Sequence, residues 1–465
     1  MKSSVVRRVA ALGAATLVAA ALAACGSDEK KSTEGGTLTV WSLENQNDRV
    51  QATKKIIDKF TQQTGIQVNL VPTDENQFSQ LITSAAAADK LPDVVGALPL
   101  GAVAQMATND LVDPDANAAV IDDLGRDTFS GRALQLTKLK DKQVAVPSDG
   151  WTQLLVYRKD LFDAAGLPAP DTFEKIQQAA QKLNKPGLAG ITMATVPNDA
   201  FTAQTFESFA LANGCEMVNE GGEVTLDSPQ CTETFKFYGD LIHSYSVRGA
   251  QDVDTTRATY FAGKAAMMVW SSFILDEMAG LRNDAAPACP QCRSDRAFLA
   301  KNSGIVTAMK GPSGGEPAQF GELTSWTITS GAKTEAAKKF VAFMMNEGYT
   351  DWLGIAPEGK FPARKGTKDD GEKFTKAWNS LPAGVDTKKP LGDIYPPAVL
   401  DALRTSPDTF RRWGITQNQG ELVGATLAEL PVPKAVNALT NGEVDAGGAA
   451  KQAAEAVRNI KKSLD

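Results

Sequence analysis

In the first third of the chain, segments whose apolar residues recur with the two-residue period of strands alternate with segments that have the period of helices, about 3.6 residues. Leu38 and Val40 alternate with threonines ahead of Trp41, as in a strand, and Gly65 stands where the first helix should end in a left-handed residue. This alternation predicts an α/β fold with a parallel sheet covered on both faces. The elements it predicts are a strand over 37–43, a helix with Val50, Ile57 and Phe60 on one stripe, a strand over 66–71, a helix through Phe78, Leu81 and Ile82, and a strand over 92–98.

Two extended segments then mark a change of region. Residues 143–147 and 153–157 are rich in strand-forming side chains, and the intervening segment 148–150, Ser-Asp-Gly, is predicted to be a turn. We interpret this stretch as a passage between two lobes. Further helices are predicted from Asp171 as N-cap, from Ser228 with a proline in the first turn, from Thr334, and over 441–460.

The amino terminus has the pattern of a targeting segment. Lys2, Arg7 and Arg8 precede an apolar run over 9–24 that is shorter than the roughly 20 residues of a membrane-spanning helix. Leu22-Ala-Ala-Cys25 resembles the lipobox of bacterial lipoproteins, which implies cleavage after residue 24 and a lipid, palmitate included, on Cys25. The alternative is an ordinary signal peptide with a chance cysteine. Residues 25–36 have no large apolar side chain and are expected to form a flexible tether.

Four cysteines remain in the exported chain. An even number favours two disulfides, and the spacing favours Cys215 with Cys231 and Cys289 with Cys292. The second pair is a Cys-x-x-Cys, so redox chemistry or half of a metal site are the alternatives to a structural bridge.

Charge and composition exclude other classes of function. Lys and Arg number 48 against 55 Asp and Glu, for a net charge of −7, which argues against a nucleic-acid partner. The single histidine, His243, excludes metal sites and acid–base machinery that need several imidazoles, and it is expected to be structural. No metal and no cofactor are expected.

The tryptophans are the best candidates for ligand contacts. Trp41, Trp151 and Trp270 stand at junctions between predicted strands and polar residues, where an indole can line a cleft, although buried packing is the alternative. Trp326 fits either role. Aromatic faces among amide and carboxyl side chains suit sugars, whose C–H faces lie against rings and whose hydroxyls need hydrogen-bond partners. Helical spacing predicts core positions for Trp352, Trp378 and Trp413.

Motifs in a fixed order along nearly the whole exported chain resemble the extracellular solute-binding lipoproteins of ATP-binding-cassette (ABC) importers, in the branch that mainly handles oligosaccharides. They are Leu22-Ala-Ala-Cys25, Thr37-Leu-Thr-Val-Trp41, Thr64-Gly-Ile-Gln-Val68, Leu91-Pro-Asp-Val-Val95, Ala145-Val-Pro147, Leu155-Val-Tyr-Arg-Lys-Asp-Leu-Phe162, Leu167-Pro-Ala-Pro-Asp-Thr-Phe173, Phe261-Ala-Gly-Lys-Ala-Ala-Met-Met268, Phe361-Pro-Ala-Arg364 and Leu439-Thr-Asn-Gly-Glu-Val-Asp445. The two cysteine pairs are not general features of that family.

The resemblance implies a two-lobe, type II periplasmic-binding-protein fold with a hinge and a ligand cleft between the lobes. Lobe 1 is expected over 37–147, with approximately 305–350 returning to it. Lobe 2 is expected over 148–304, with approximately 351–465, part of which recrosses the hinge. The expected ligand-binding residues are Trp41, Glu44, Asn45, Asp93, Trp151, Trp270, Ser271, Trp326 and Arg364.

The expected function is that of a monomeric receptor outside the cytoplasm, anchored to the membrane by its lipid. It should capture a sugar, expected to be an oligosaccharide, and deliver it unaltered to the transmembrane subunits of an ABC permease. The alternatives are the same fold with a non-sugar solute, such as a polyol, an amino-acid derivative or a peptide, and a secreted hydrolase with an Asp or Glu pair.

Overall fold

Helices and strands alternate along residues 36–464, the part of the chain that this computed structural model describes. The predicted signal segment 1–24, the anchor Cys25 and the tether up to residue 35 lie outside the described residues. The strands are β1 Leu38–Ser42, β2 Val68–Pro72, β3 Val94–Pro99, β4 Lys138–Leu139, β5 Lys142–Gln143, β6 Val146–Arg158, β7 Met267–Ser271, β8 Ser303–Val306, β9 Gly321–Ile328, β10 Phe361–Pro362, β11 Pro382–Ala383 and β12 Lys389–Pro390. The α-helices are α1 Asn47–Thr64, α2 Glu75–Ala87, α3 Leu100–Thr108, α4 Pro114–Leu124, α5 Gly131–Leu136, α6 Lys159–Ala165, α7 Phe173–Leu183, α8 Ala200–Ala212, α9 Pro229–Tyr245, α10 Val253–Phe261, α11 Ile274–Met278, α12 Phe298–Asn302, α13 Thr334–Met344, α14 Tyr349–Leu353, α15 Lys373–Trp378, α16 Pro397–Arg404, α17 Gly420–Glu429, α18 Pro431–Thr440 and α19 Ala446–Leu464.

One mixed sheet holds most of the strands. Its main path runs β10-β6-β9-β3-β1-β2, and β7 and β8 also pair with β6. The predicted parallel pairing is confirmed for β1 with β2 and with β3, whereas β9 joins β3 and β6 in antiparallel fashion. Both faces of the parallel part are covered: Leu38 and Val40 face a core with Phe60 of α1, while Val95 faces a second core with Phe78 of α2.

The turn predicted at 148–150 is wrong, because these residues lie inside the single strand β6. A bulge between Pro147 and Asp149 absorbs the irregularity in the pairing with β9. Gly150 serves a close approach rather than a turn: a Cβ there would lie 2.4 Å from the ring of Phe410 and 2.9 Å from the carbonyl oxygen of Glu322. The same glycine signal thus arises from packing on a continuous strand.

Helix ends confirm some predictions and correct others. Gly65 ends α1 with a φ of 75°, and Ser228 caps α9 by accepting a hydrogen bond from the backbone N–H of Cys231. The predicted N-cap Asp171 is wrong, because the neighbouring Thr172 caps α7 and Asp171 instead pairs with a lysine one turn along. The helix predicted over 441–460 begins later, at Ala446 of α19, because residues 441–445 connect α18 to α19 and Gly442 takes a φ of 75° there.

Both predicted disulfides are present, and the predicted core tryptophans are buried. Cys215 bonds Cys231 across 16 positions of sequence, and Cys289 bonds Cys292 across three. All four cysteines are buried. Trp326, for which the sequence left two roles open, is fully buried against Trp352, with ring centroids 4.9 Å apart. The predicted core positions Trp352, Trp378 and Trp413 are confirmed.

Among the described residues, the search for a helix with both the length and the hydropathy of a membrane span finds none.

The two disulfides should differ in what they contribute to stability, because a longer closed loop removes more entropy from the unfolded chain. Replacing Cys215 and Cys231 together by Ser should lower the free energy of unfolding by about 3 kcal/mol, and replacing Cys289 and Cys292 together by about 1.5 kcal/mol. Urea denaturation of both double variants measures the difference. A larger loss from the Cys289 and Cys292 pair would contradict the loop-closure account.

Candidate functional site

Strand β6 changes its pairing partners at its midpoint. Its first half pairs with β9 as far as Thr152, and its second half pairs with β7 from Gln153 onward. Because side chains alternate along a strand, Trp151 and Gln153 project from the same face on either side of this changeover. A strand shared by two groups of elements is the natural position of a hinge, so these side chains lie where a cleft between the groups would close.

Three aromatic rings meet beside this changeover. The ring of Trp151 lies 6.3 Å from that of Phe273, which follows β7, and 5.8 Å from that of Phe320, which precedes β9. Phe320 is buried, whereas Trp151 and Phe273 are half-buried. We call these three residues the aromatic group. Its two half-buried rings offer flat apolar faces to a ligand.

Phe273 is held between a guanidinium group and a glycine. The guanidinium of Arg49, on α1, lies 5.0 Å from the centroid of the Phe273 ring, a cation–π distance. On another side, a Cβ on Gly359 would come within 2.0 Å of the ring, so only a glycine permits this approach. Phe273 thus joins the β7–α11 connection to α1 and to the segment that contains Gly359.

A buried charge network lies next to the aromatic group. The Nζ of Lys360 lies 2.5 Å from a carboxylate oxygen of Glu44 and 3.2 Å from one of Asp149, and Arg49 donates to Glu44 at 2.8 Å. Burial alone would raise the pKa of Glu44, but the charges of Lys360 and Arg49 outweigh it and lower the pKa to about 2. Asp149 also accepts a hydrogen bond of 2.7 Å from the indole of Trp352.

A second guanidinium flanks the aromatic group. Arg412 lies 4.9 Å from the ring centroid of Phe320 and pairs with two buried carboxylates, Glu207 at 3.0 Å and Glu322. Glu322 also accepts a hydrogen bond from the backbone N–H of Leu100, at the start of α3. The aromatic group therefore lies between two arginines whose charges are already balanced.

Several buried polar atoms around the aromatic group have no hydrogen-bond partner among residues 36–464. Gln153 leaves both its amide nitrogen and its amide oxygen unpaired, and Ser272 leaves its hydroxyl unpaired. One carboxylate oxygen of Asp276 and one of Glu358 are also unpaired. Other buried polar atoms without partners lie elsewhere in the described part of the chain, as at Thr202 and Ser325. Buried polar atoms normally have partners, so a ligand or water beside the aromatic group would complete the bonding of those found there.

A family model and a related protein show to which family the chain belongs. The model for bacterial extracellular solute-binding proteins matches residues 44–351. A putative ABC transporter periplasmic-binding protein, YcjN of Escherichia coli K12, is 30% identical over 358 residues, which are 75% of this chain and 77% of that protein. The chain belongs to the family of bacterial extracellular solute-binding proteins.

Solved structures agree on the two-lobe fold of this solute-binding protein. Maltose-bound MalE3 of T. maritima superposes with a TM-score of 0.67 at 20% identity, covering 91% of this chain and 99% of that one. The GacH receptor of Streptomyces glaucescens, solved unliganded and with acarbose, gives a TM-score of 0.69 at 18% identity, covering 92% and 99%. The predicted α/β fold with two lobes is thereby confirmed.

The solute-binding protein brings some of the expected ligand-binding residues together. Trp151 belongs to the aromatic group, and Glu44 lies in the charge network beside it. Ser271 is half-buried and pairs with Gln153 in the sheet, while Trp41 is half-buried at the end of β1 and Asn45 is exposed beyond it.

Other expected residues are occupied by contacts within the protein. The indole of Trp270 donates to the carbonyl oxygen of Val253 at 2.9 Å and is only 6% exposed. Asp93 accepts backbone hydrogen bonds from Thr39 and Lys333, so it ties β1 to the start of α13. Arg364 is 2% exposed and donates to the carbonyl oxygens of Leu124 and Met345, and Trp326 is enclosed in the core.

Five residues in or beside the aromatic group were not among the expected ligand-binding residues: Phe273, Phe320, Gln153, Arg49 and Lys360. Two of them carried a usable signal. Gln153 is two positions after Trp151 in a strand, so alternation places both on one face. Phe273 stands two residues after the end of β7, and an aromatic side chain just beyond a strand can line a cleft.

The charge network predicts acid sensitivity. Because the pKa of Glu44 is lowered from 4.5 to about 2, its stabilising effect is present above pH 4.5 and is lost as the pH falls toward 2. Glu44→Gln should lower the free energy of unfolding at neutral pH by about 3 kcal/mol, and the gap to the wild type should close on acidification. Urea denaturation across this pH range measures it.

Asp351→Asn is the matched control, since Asp351 pairs with Lys59 in the open, where both side chains are about half exposed. Its loss should stay below about 1 kcal/mol. A Glu44→Gln deficit of the same size in acid and at neutral pH would contradict the assignment.

Proposed function

We propose that this solute-binding protein captures an oligosaccharide between its two lobes and hands it, unaltered, to an ABC permease. The observation that supports the proposal best is the set of two half-buried rings, Trp151 and Phe273, on either side of the β6 changeover and beside the unpaired amide of Gln153.

The lobes are proposed from the contacts of the elements. Lobe 1 contains β1–β3, the first half of β6 and β9, and lobe 2 contains the second half of β6 with β7 and β8. The contacts support extending the segment that returns to lobe 1 beyond 350, because α14 packs on α1, α15 packs on α14, and Lys360 pairs with Glu44. Helices α18 and α19 pack on α9 and so belong with lobe 2, while α17 packs on α3.

The chemistry of the aromatic group suits a pyranose. The C–H face of a sugar ring lies against an aromatic plane, and an amide supplies both a donor and an acceptor to a pair of hydroxyls. The paired state of Arg49 and Arg412 disfavours an anionic ligand, which would have to displace their carboxylates. The MalE3 and GacH structures were solved with maltose and acarbose, which is consistent with a sugar here.

Contacts on both lobes give such a ligand its effect. A ligand shifts the open form to the closed form only by its extra affinity for the closed form, and rings on both sides of the hinge provide it. Micromolar binding needs about −8 kcal/mol, which a few stacked rings and hydrogen bonds can supply.

The proposal includes the location and the partners. The lipobox-like sequence ending at Cys25, followed by a tether without large apolar residues, supports a lipid anchor on the outer side of the cytoplasmic membrane. There a monomeric receptor without enzymatic activity would dock on permease subunits in the membrane.

A titration tests the proposed function. The protein lacking residues 1–25 is titrated with maltose, maltotriose, cellobiose and ribitol while tryptophan emission and melting temperature are followed. We expect an oligosaccharide to change both, and Trp151→Ala to weaken its binding by more than about tenfold, or 1.4 kcal/mol, while Trp151→Phe weakens it less. A response to ribitol alone would make the ligand a polyol, and recovery of cleaved sugar by chromatography would make the protein a hydrolase.

Two glutamines separate binding from stability. Gln153 is buried with its amide unpaired, whereas the amide nitrogen of Gln143, also buried, donates to Thr137 and Ala145. Gln153→Leu should therefore leave the free energy of unfolding unchanged or raise it, yet weaken sugar binding by about tenfold.

Gln143→Leu should do the reverse, lowering stability by about 1 to 3 kcal/mol with unchanged affinity. Calorimetric titration and urea denaturation of both variants give the two quantities. Equal affinities of Gln153→Leu and the wild type would remove Gln153 from the site.

A further inference from the structure

One of the contacts between the proposed lobes joins α11 to a short 3-10 helix, Pro357–Gly359. Phe273, just ahead of α11, lies against Gly359, as described above. Asp276 is one turn of α11 beyond Phe273, and Glu358 is the neighbour of Gly359, so the contact also brings these two carboxyl groups into electrostatic interaction. One carboxyl comes from each lobe.

The two carboxyl groups are buried without adequate partners. Asp276 is 1% exposed and Glu358 is 3% exposed, and one oxygen of each has no hydrogen-bond partner within the described part of the chain. A buried carboxylate that lacks such partners is costly, whereas a protonated carboxyl is cheaper to bury and can donate a hydrogen bond.

The surrounding charges do not remove this cost. The charged or titratable groups that face the pair are Arg49 on α1, Glu277 on α11, Arg282 beyond α11, Lys388 just before β12 and Tyr395 ahead of α16. Arg49 is already bound to Glu44, and Arg282 is bound to Asp284 at 2.9 Å. Burial and, for Glu358, the charge of Asp276 accordingly raise the pKa of both carboxyls above their ordinary range.

We propose that closing the two lobes takes up a proton at the Asp276 and Glu358 carboxyls, so that the closed form weakens as the pH rises. In the open form each carboxyl meets water and ionises at its ordinary pKa, while in the closed form the pair retains a proton to higher pH. Closure is therefore favoured fully below the ordinary pKa of these carboxyls, and this advantage is lost as the pH rises through their raised pKa values in the closed form.

The coupling depends on the lobe closure used in the proposed function, but not on the ligand being a sugar. It makes the receptor hold its ligand more firmly in acid surroundings and release it more readily in alkaline ones. Replacing one carboxyl by an isosteric amide should reduce the dependence, because the other carboxyl stays buried with a raised pKa. Replacing both should abolish it, because a neutral side chain has no ionisation to suppress.

Small-angle X-ray scattering of the ligand-free protein lacking residues 1–25 tests this, at about pH 5.5 and about pH 8.5, since one coupled proton changes the open-to-closed ratio by up to about tenfold per pH unit. The wild type should expand at the higher pH. Glu358→Gln and, separately, Asp276→Asn should expand less than the wild type. The double variant should give the same compact profile at both pH values, with circular dichroism checking the fold.

Glu277→Gln is the matched control. Glu277 is buried on the same helix, with its pKa raised by burial to about 7, but it pairs with Arg257 of α10, inside lobe 2. This variant should expand like the wild type. A wild-type profile that does not change with pH, or a Glu277→Gln variant that loses the change as the Asp276→Asn, Glu358→Gln double variant does, would overturn the proposal. Because no sugar is present, failure here is distinguishable from failure of the sugar titration.

Discussion

The sharing of strand β6 between two sets of partners is the constraint on which the rest of the molecule depends. Its hydrogen bonds pass from β9 to β7 between Thr152 and Gln153 without a break in the chain. A continuous strand can twist at such a point while both ladders stay intact, so the lobes can move without unfolding either sheet. Side chains that project from the changeover, Trp151 and Gln153, are then the ones whose surroundings change most when the lobes move.

Electrostatic pairing is distributed unevenly around this strand. Lys360 pairs with Glu44 and Asp149, and Arg412 pairs with Glu207 of α8 and Glu322 of β9. Removing one partner of a buried ion pair strongly destabilises a protein, so these pairs hold the segments that carry them in place. In contrast, Gln153 leaves both polar atoms of its buried amide unpaired within residues 36–464, and Asp276 and Glu358 leave one carboxylate oxygen each. Burying a polar group without a partner costs free energy, so a ligand that bonds to such a group gains more than one that meets groups already paired.

Elements with a local signal were predictable from the sequence. Periodicity and the end at Gly65 predicted β1 and α1, and the short separation of Cys215 and Cys231 predicted their bond. The glycine of the 148–150 segment misled because a glycine signals both a turn and a close approach, and only the position of Phe410 distinguishes them. That position lies more than 250 residues away along the chain.

The candidate site was only partly predictable for the same reason. The position of Trp151 at a strand junction makes it a candidate from the sequence alone. Whether the indole at such a junction can contact a ligand depends on residues that are distant in the chain. Trp270 occupies an equivalent junction, yet its N–H finds the carbonyl oxygen of Val253 inside its own lobe. The sequence around Gly359 does not indicate why a glycine is needed there. The reason is the ring of Phe273, which comes from a distant segment of the chain and lies against Gly359. The candidate site is formed by contacts between segments that are far apart in the chain. Local sequence patterns therefore identify candidate residues, and only the fold shows which of them come together.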